Sequence, residues 1–364
     1  MARPIKALID VEALRRNFAL SLQKTGGNCM PMVKANGYGH GTEIVCRALG
    51  NADAFGVASI EEAMAIRSFG IMVPILLLEG TFSADEILIA EKYNFWLLIE
   101  NHRQKHDLIK APIKKALNIW LGIDTGLHRL GFDPREISSV YRDLMSSKKM
   151  KRTSVLASHF ASADQPDNAT IALQLEIFDD AYAKIEIPPD HHVGQSIANS
   201  AAILSLPTSY RNWQRPGYML YGNSPFSHEN LHEGLQPVMH FVSAVTSIRT
   251  INPGESVGYS ATWTAKRKSI IATVSAGYGD GYPRHAPNNT PVLIGGKRQP
   301  LVGRVSMDMI TVDVTDDPEI QIGDMVTLWG PDLPVNEIAR ICSTNGYELL
   351  SGITARVPRI AINQ

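Results

Sequence analysis

Pro74-Ile75-Leu76-Leu77-Leu78 and Phe95-Trp96-Leu97-Leu98-Ile99 are two apolar runs of strand length separated by a stretch of helix length. The same alternation recurs along the first two thirds of the chain. Further short apolar runs lie near 29–34, 54–58, 117–123, 154–159, 191–195 and 216–220. Segments with helical apolar spacing fall between most of them, as at Ile60, Ala63, Met64 and Ile66. In Ala169–Ile185, Ile171, Leu175, Phe178 and Tyr182 share one stripe. Thr42 before Glu43–Leu49 reads as a helix start, and Gly50 as its stop. Eight strands alternating with helices in roughly 220 residues is the count of an α/β chain folded as a (β/α)8 TIM-type barrel. A doubly wound open sheet has the same alternation, and strand counting does not separate the two.

Beyond about residue 235 the pattern changes. Phe241–Ile251 alternates apolar and polar residues, and Ser269–Ser275, Pro291–Ile294, Met309–Val314 and Asp324–Leu328 are further β-like runs punctuated by Gly254, Gly277, Gly281, Gly295, Gly296, Gly303 and Gly323. The expected organisation is a barrel over 1–235 and a C-terminal mainly-β domain over 236–364, with residues 1–10 a candidate to pair with the β domain.

The charge balance, 35 Lys+Arg against 36 Asp+Glu, gives no bulk charge with which to hold a nucleic acid or an anionic membrane. A hydrophobic fraction of 44% and a charged fraction of 20% exclude disordered and fibrous classes. No apolar run approaches the roughly 18 residues that suggest a membrane span. Asp10 interrupts what a secretory leader would continue, so a cytoplasmic location is expected. Cys29, Cys46 and Cys342 are scattered without C-x-x-C spacing, which indicates neither a disulfide framework nor a structural zinc site.

Active sites of such barrels lie at the C-terminal ends of the strands. The first strand ends at Lys34, followed by Ala35-Asn36-Gly37-Tyr38-Gly39-His40-Gly41. A lysine there can point into the barrel mouth, where desolvation lowers its pKa and frees the amine as a nucleophile. A solvated lysine before a turn is the plain alternative. Arg129 lies just past the fifth strand in Asp124–Phe132, Ser158-His159-Phe160 ends the sixth, and Arg215-Pro216-Gly217 opens the eighth. Asn199-Ser200 follows the seventh and offers a hydroxyl and free helix N-terminal amides to a phosphate. Asp124 as a turn cap, His159 as a satisfied core histidine and Arg215 as half of an ion pair are the structural alternatives. No H-E-x-x-H or G-x-S-x-G occurs, and no metal site is expected.

Val33–Gly41 resembles the pyridoxal-phosphate signature of alanine racemases. The likeness continues through Asp124–Phe132, Ser158–Ala161, Asn199–Ala201, Arg215–Gly222, Val257–Trp263, Gly277–Pro283, Gly303–Asp308 and Thr354–Arg359, and so spans essentially the whole chain. The resemblance implies pyridoxal 5'-phosphate held by Lys34 as a Schiff base, and racemisation of alanine between two bases. Lys34 would face the proton of the D-isomer, and Tyr259, reaching the site of a partner subunit in a homodimer, that of the L-isomer. It further implies phosphate contacts from Tyr38, Ser200 and the amides near Gly217 and Tyr218. Arg215 would meet the ring nitrogen, and His159 would stand in the polar chain behind the tyrosine. Arg129 and the backbone of Met307 would bind the substrate carboxylate, and Tyr278 would narrow the entrance. D-alanine for peptidoglycan is the implied product.

Two departures stand out. Many relatives have a phosphate-binding tyrosine where this chain has Ala355. Many also carry a carbamylated lysine, whose charge positions the arginine matching Arg129, where this chain has Gly122. Arg129 must then be oriented by a bound anion or a neighbouring carboxylate. Within the same resemblance, a broader small-amino-acid (serine) racemase is the rival enzyme. A pyridoxal-phosphate carrier resembling the barrel alone is the rival of another class, and Tyr259 and the β domain count against it.

Overall fold

In the computed structural model, which describes residues 3–364, the chain starts and finishes in one sheet and builds the barrel in between. Strand β1 (Lys6–Asp10) leads into the helix Val11–Thr25, whose first turn is capped by the Asp10 carboxylate accepting from the Ala13 amide. That helix ends at Gly26, where φ of 63° requires a residue without a Cβ penalty.

Eight parallel strands follow: β2 (Asn28–Cys29), β3 (Phe55–Val57), β4 (Ile75–Leu77), β5 (Phe95–Ile99), β6 (Leu117–Gly122), β7 (Met150–Ala157), β8 (His192–Ser196) and β9 (Trp213–Gln214). β3 to β8 form one ladder and β2 pairs with β9. The Met32–Gly56 bridge joins the two ladders on one side, and the Arg215 amide donating to the Ala198 carbonyl at 3.0 Å closes the ring on the other. Strands buried on both faces read as unbroken apolar runs, which is why β4 and β5 are so plain in the sequence. Their outward residues, such as Ile75 and Leu77, pack under the helices. The inward ones, Met30, Leu76, Leu98, Trp120 and Val155, fill the barrel with Trp96 and Trp213, whose rings lie 5.6 Å apart. Burial of each such side chain contributes about 1.5–3 kcal/mol.

The eighth strand is displaced from its expected place at 216–220. It runs over Trp213–Gln214, while Tyr218–Tyr221 is a 3-10 turn with all four side chains buried. Pro216 has no N–H for the ladder, and the amides of Gly217 and Met219 turn inward to Ser200 Oγ at 2.9 and 3.3 Å. Arg215 therefore follows its strand rather than opening it. Thr42 does not cap its helix either: Asn36 Oδ1 accepts from the Thr42 amide at 3.0 Å, and the helix is Thr42–Ala48.

The C-terminal part is organised on β10 (Met239–Ile251), which pairs with β1, Ser269–Val274 and Met325–Trp329. β1 also pairs in parallel with Arg359–Ile362. Residues 1 and 2 of the expected N-terminal pairing lie outside the described residues. Two short helices, Val335–Ile341 and Gly346–Ser351, interrupt the β structure. No helix among the described residues is long and apolar enough to cross a membrane.

Candidate active site

Lys34 begins a turn of left-handed helix. Ala35, Asn36, Gly37 and Tyr38 have φ between 51° and 60°, and Gly39 has 83°. For residues with a Cβ this costs roughly 1–2 kcal/mol each, so the neighbours must hold the turn. Glu62 does so from one side, its carboxylate accepting from the amides of Ala35 at 2.7 Å and Ala58 at 2.9 Å. The β domain does so from the other: Arg359 Nε donates to the Gly39 carbonyl at 3.0 Å, and a Cβ on Gly39 would lie 1.9 Å from the Leu350 carbonyl oxygen. Beneath the turn His40 is wholly buried, its Nδ1 3.1 and 2.9 Å from the carbonyls of Gly37 and Tyr38. Burial lowers its pKa to about 4. The half-buried Lys34 amine is left at the barrel mouth.

Arg215 and His159 share that mouth. The buried Arg215 guanidinium donates to Ser196 Oγ and the Ser158 carbonyl, and its Nη2 lies 3.4 Å from His159 Nδ1. Burial lowers the Arg215 pKa to about 10, so it remains a cation at neutral pH. His159 is open to the mouth, yet its deep position there, then the charges of Arg215, Arg129 and Lys34, push its pKa down to about 3. It is a neutral imidazole, not a satisfied core histidine. Asp124, by contrast, is the turn cap: Oδ1 accepts from the amides of Gly126 and His128. The loop it caps carries Arg129 outward to an exposed position.

Tyr38, from the same turn as Lys34, meets Ser200, Gly217 and Tyr218 in a small polar cradle. Ser200 Oγ accepts from the Gly217 and Met219 amides, and a Cβ on Gly217 would lie 2.8 Å from the Tyr38 hydroxyl. Tyr218 opens its 3-10 turn, so its amide has no partner inside the turn. Burial pushes the Tyr38 pKa up to about 12, which keeps the hydroxyl a donor. Two of the amides expected for an anion are taken: Asn199 Oδ1 accepts from Ala202 at 3.1 Å and Ser200 Oγ from Gly217 at 2.9 Å. Hydroxyls, amides and a glycine whose missing Cβ leaves room beside the Tyr38 hydroxyl suit a phosphate group, and the lysine amine suits an aldehyde, so these residues fit pyridoxal phosphate.

Tyr259, Tyr278 and Met307 lie in the β domain. Tyr259 sits in a tight turn between Ser256–Val257 and Trp263–Thr264 and is 70% exposed. It does not pack on Trp263, which joins Val257, Ile271 and Val302 instead. Among the described residues no hydrogen bond or ring contact joins Tyr259 to the barrel mouth of its own chain. The turns holding Tyr278 and Met307 are bonded together, Tyr278 N to the Ser306 carbonyl at 3.0 Å and Gly279 N to the Met307 carbonyl at 2.8 Å. The buried Asp280 carboxylate anchors both, paired with Arg3 at 2.6 Å and Arg356 at 2.8 Å. Among the described residues the Met307 amide makes no hydrogen bond.

Sequence reasoning missed two contributors. Gln174 is buried on the helix Thr170–Ala183, donating to Thr125 Oγ1 at 3.1 Å and the His159 carbonyl at 3.2 Å while Oε1 accepts from Ala161. A polar residue beside the apolar stripe of Ile171 and Phe178 was its signal. Tyr347 stacks on Tyr218 with centroids 3.7 Å apart and lies 6.4 Å from Tyr38, an approach that only tertiary packing creates.

Two family models match the chain: the alanine racemase N-terminal domain over residues 9–225 and the alanine racemase C-terminal domain over 238–361. The chain is similar to a biosynthetic alanine racemase of Pseudomonas aeruginosa, with 45% identity covering 98% of this chain and 99% of the relative. Among solved structures it is similar to the crystal structure of the biosynthetic alanine racemase from Pseudomonas aeruginosa, with a TM-score of 0.93, 44% identity and 99% of each chain covered. It is also similar to the alanine racemase from Bartonella henselae with covalently bound pyridoxal phosphate, at a TM-score of 0.89 and 30% identity over 100% of each chain.

Proposed function

Because the chain belongs to the alanine racemase family of isomerases, we propose that it interconverts L- and D-alanine with pyridoxal 5'-phosphate joined to Lys34, and that Tyr259 of the partner subunit completes each site of a homodimer. D-alanine for peptidoglycan is the proposed product. Pyridoxal phosphate, when bound, supplies the electron sink that lets an amino acid's α-proton leave. Everything else falls to side chains.

Inverting a centre by proton exchange needs proton transfer on both faces, and since a single base would have to cross the plane, two opposed bases are the economical solution. Lys34 Nζ supplies one from the barrel mouth. The Tyr259 hydroxyl, exposed and without a hydrogen-bond partner among the described residues, supplies the other from a second copy. Tyr38, Ser200 and the Gly217 and Tyr218 amides are the proposed phosphate ligands. Arg215 is the proposed neighbour of the ring nitrogen; being charged at neutral pH and a donor only, it leaves that nitrogen its lone pair. His159, held neutral, adds no second positive charge beside it. Arg129 and the free Met307 amide are the proposed carboxylate ligands, with Tyr278 narrowing the approach to favour a small side chain. The observation that carries the reading is the strained, clamped lysine turn, whose Tyr38 hydroxyl lies against Gly217 in the cradle with Ser200.

The test is racemisation of L-alanine by the cofactor-loaded protein in deuterated water. D-alanine carrying deuterium at Cα is expected, and L-serine run in parallel measures breadth. An unchanged amino acid despite a Lys34-dependent cofactor absorbance would overturn the reading in favour of a cofactor carrier.

A further inference from the structure

Glu100 follows β5 directly, and the functional reading above gives it no role. The register that pairs Ile99 with Leu121 sets it beside Gly122. Its backbone is fixed, the amide donating to Gln104 Oε1 at 2.9 Å while Gln104 Nε2 donates to the Glu79 carbonyl at 2.7 Å. Its side chain lies where a residue at 122 would project: a Cβ there would be 2.8 Å from Glu100 Cγ and 2.9 Å from Oε1. Glycine at 122 is what gives the carboxylate room. Oε2 is buried and has no hydrogen-bond partner. A buried carboxylate oxygen without a donor is costly and rare enough to require an explanation.

The charged groups acting on Glu100 are Arg129 and Arg215, which favour its anion, and Glu79, which opposes it. Arg215 is already committed to Ser196, the Ser158 carbonyl and His159. Arg129 makes no hydrogen bond or ion pair among the described residues. We propose that Glu100 is a positioning residue for Arg129, its carboxylate orienting the guanidinium that binds the substrate's carboxylate. The proposal rests on the functional reading above for the identity of that substrate.

Burial, outweighing the two arginines, raises the Glu100 pKa to about 7. Glu100 is then anionic above neutrality and loses its hold on Arg129 as pH falls through about 7. The KM for L-alanine should rise on that descent in the unaltered enzyme.

The experiment compares the unaltered holoenzyme with Glu100→Gln and Glu100→Ala, measuring KM and kcat for L-alanine across pH 6–8, calorimetric binding of propionate, and cofactor absorbance. In Glu100→Gln, KM and the propionate Kd should rise about tenfold, with kcat and absorbance little changed and the pH dependence of KM gone. Formate should restore Glu100→Ala. Unchanged KM and propionate binding would overturn the proposal. So would a shifted absorbance at constant KM, which would mean that Glu100 acts through Arg215. Should both variants fail to hold cofactor, Gly122→Ala displaces the carboxylate without removing it; a KM there equal to that of the unaltered enzyme would overturn the proposal equally. If the unaltered protein racemises nothing, the functional reading fails, while propionate binding still reports on Glu100.

Discussion

Among the described residues two turns place consecutive residues other than glycine in left-handed backbone, Ala35-Asn36 in the turn that runs on to Tyr38 and Ser260-Ala261 after Tyr259. The first is clamped by its own chain. Glu62 holds its Ala35 amide, Arg359 holds Gly39, and His40 lies beneath it. The second has fewer holds: Gly258 at φ 77° lies against Arg304, Asn288 Nδ2 donates to the Thr262 carbonyl at 3.0 Å, and its tyrosine stands in solvent. Strained backbone persists where surrounding structure over-determines it. One turn has that surrounding within the chain. The other has less of it and leaves its tyrosine exposed, which agrees with the proposed second copy covering that side.

The most severe way to break this comparison is Lys34→Ala, which should lower racemisation on the order of 10⁴-fold and leave cofactor that dialyses away, read by chirality and absorbance. Tyr259→Phe should lower turnover about 10³-fold while cofactor stays bound. Mixing these two inactive variants is the sharper test. If each site takes its lysine and tyrosine from different chains, random dimers should recover roughly a quarter of the unaltered activity. No recovery after proven subunit exchange would place both bases in one chain.

The smallest effect separates the turns by acid. His40 titrates near 4 when folded against 6.5 when free, so the unfolded chain takes up a proton first as pH falls. Its contribution is complete above about pH 6.5 and is lost towards pH 4, about 3 kcal/mol in all. His40→Gln should start less stable and show a flatter decline of denaturation midpoint over that interval. An identical slope would remove His40 from the account.

How far the sequence reveals this arrangement varies from place to place. β4 and β5 were legible because strands buried on both faces are apolar throughout. β9 was misplaced because Tyr218–Tyr221 is as apolar as a strand yet is buried as a 3-10 turn, and only Pro216 hinted at it. The two C-terminal helices are seven and six residues long, too short for a helical period to show. Lys34, His159, Ser200 and Arg215 were found because each follows a barrel strand within one to five residues of the strand's end. Gly122 was recognised as a missing charge, but the carboxylate beside it was not, since Glu100 meets Gly122 only through the register of β5 on β6. Gln174 and Tyr347 depend on packing between distant segments in the same way.

Strand β1 is made first and completed last. Its partners are β10 and Arg359–Ile362, so it waits for nearly the whole chain to leave the ribosome. At translation rates of about 5–20 residues per second that interval is tens of seconds. During it the edges of Lys6–Asp10 have no neighbours, and the turn after Lys34 lacks Arg359 and Leu350. The lysine's setting is thus assembled only after Arg359 has been made, and a nascent chain truncated before Arg359 would carry every barrel residue of the site without the brace that holds the first of them in place.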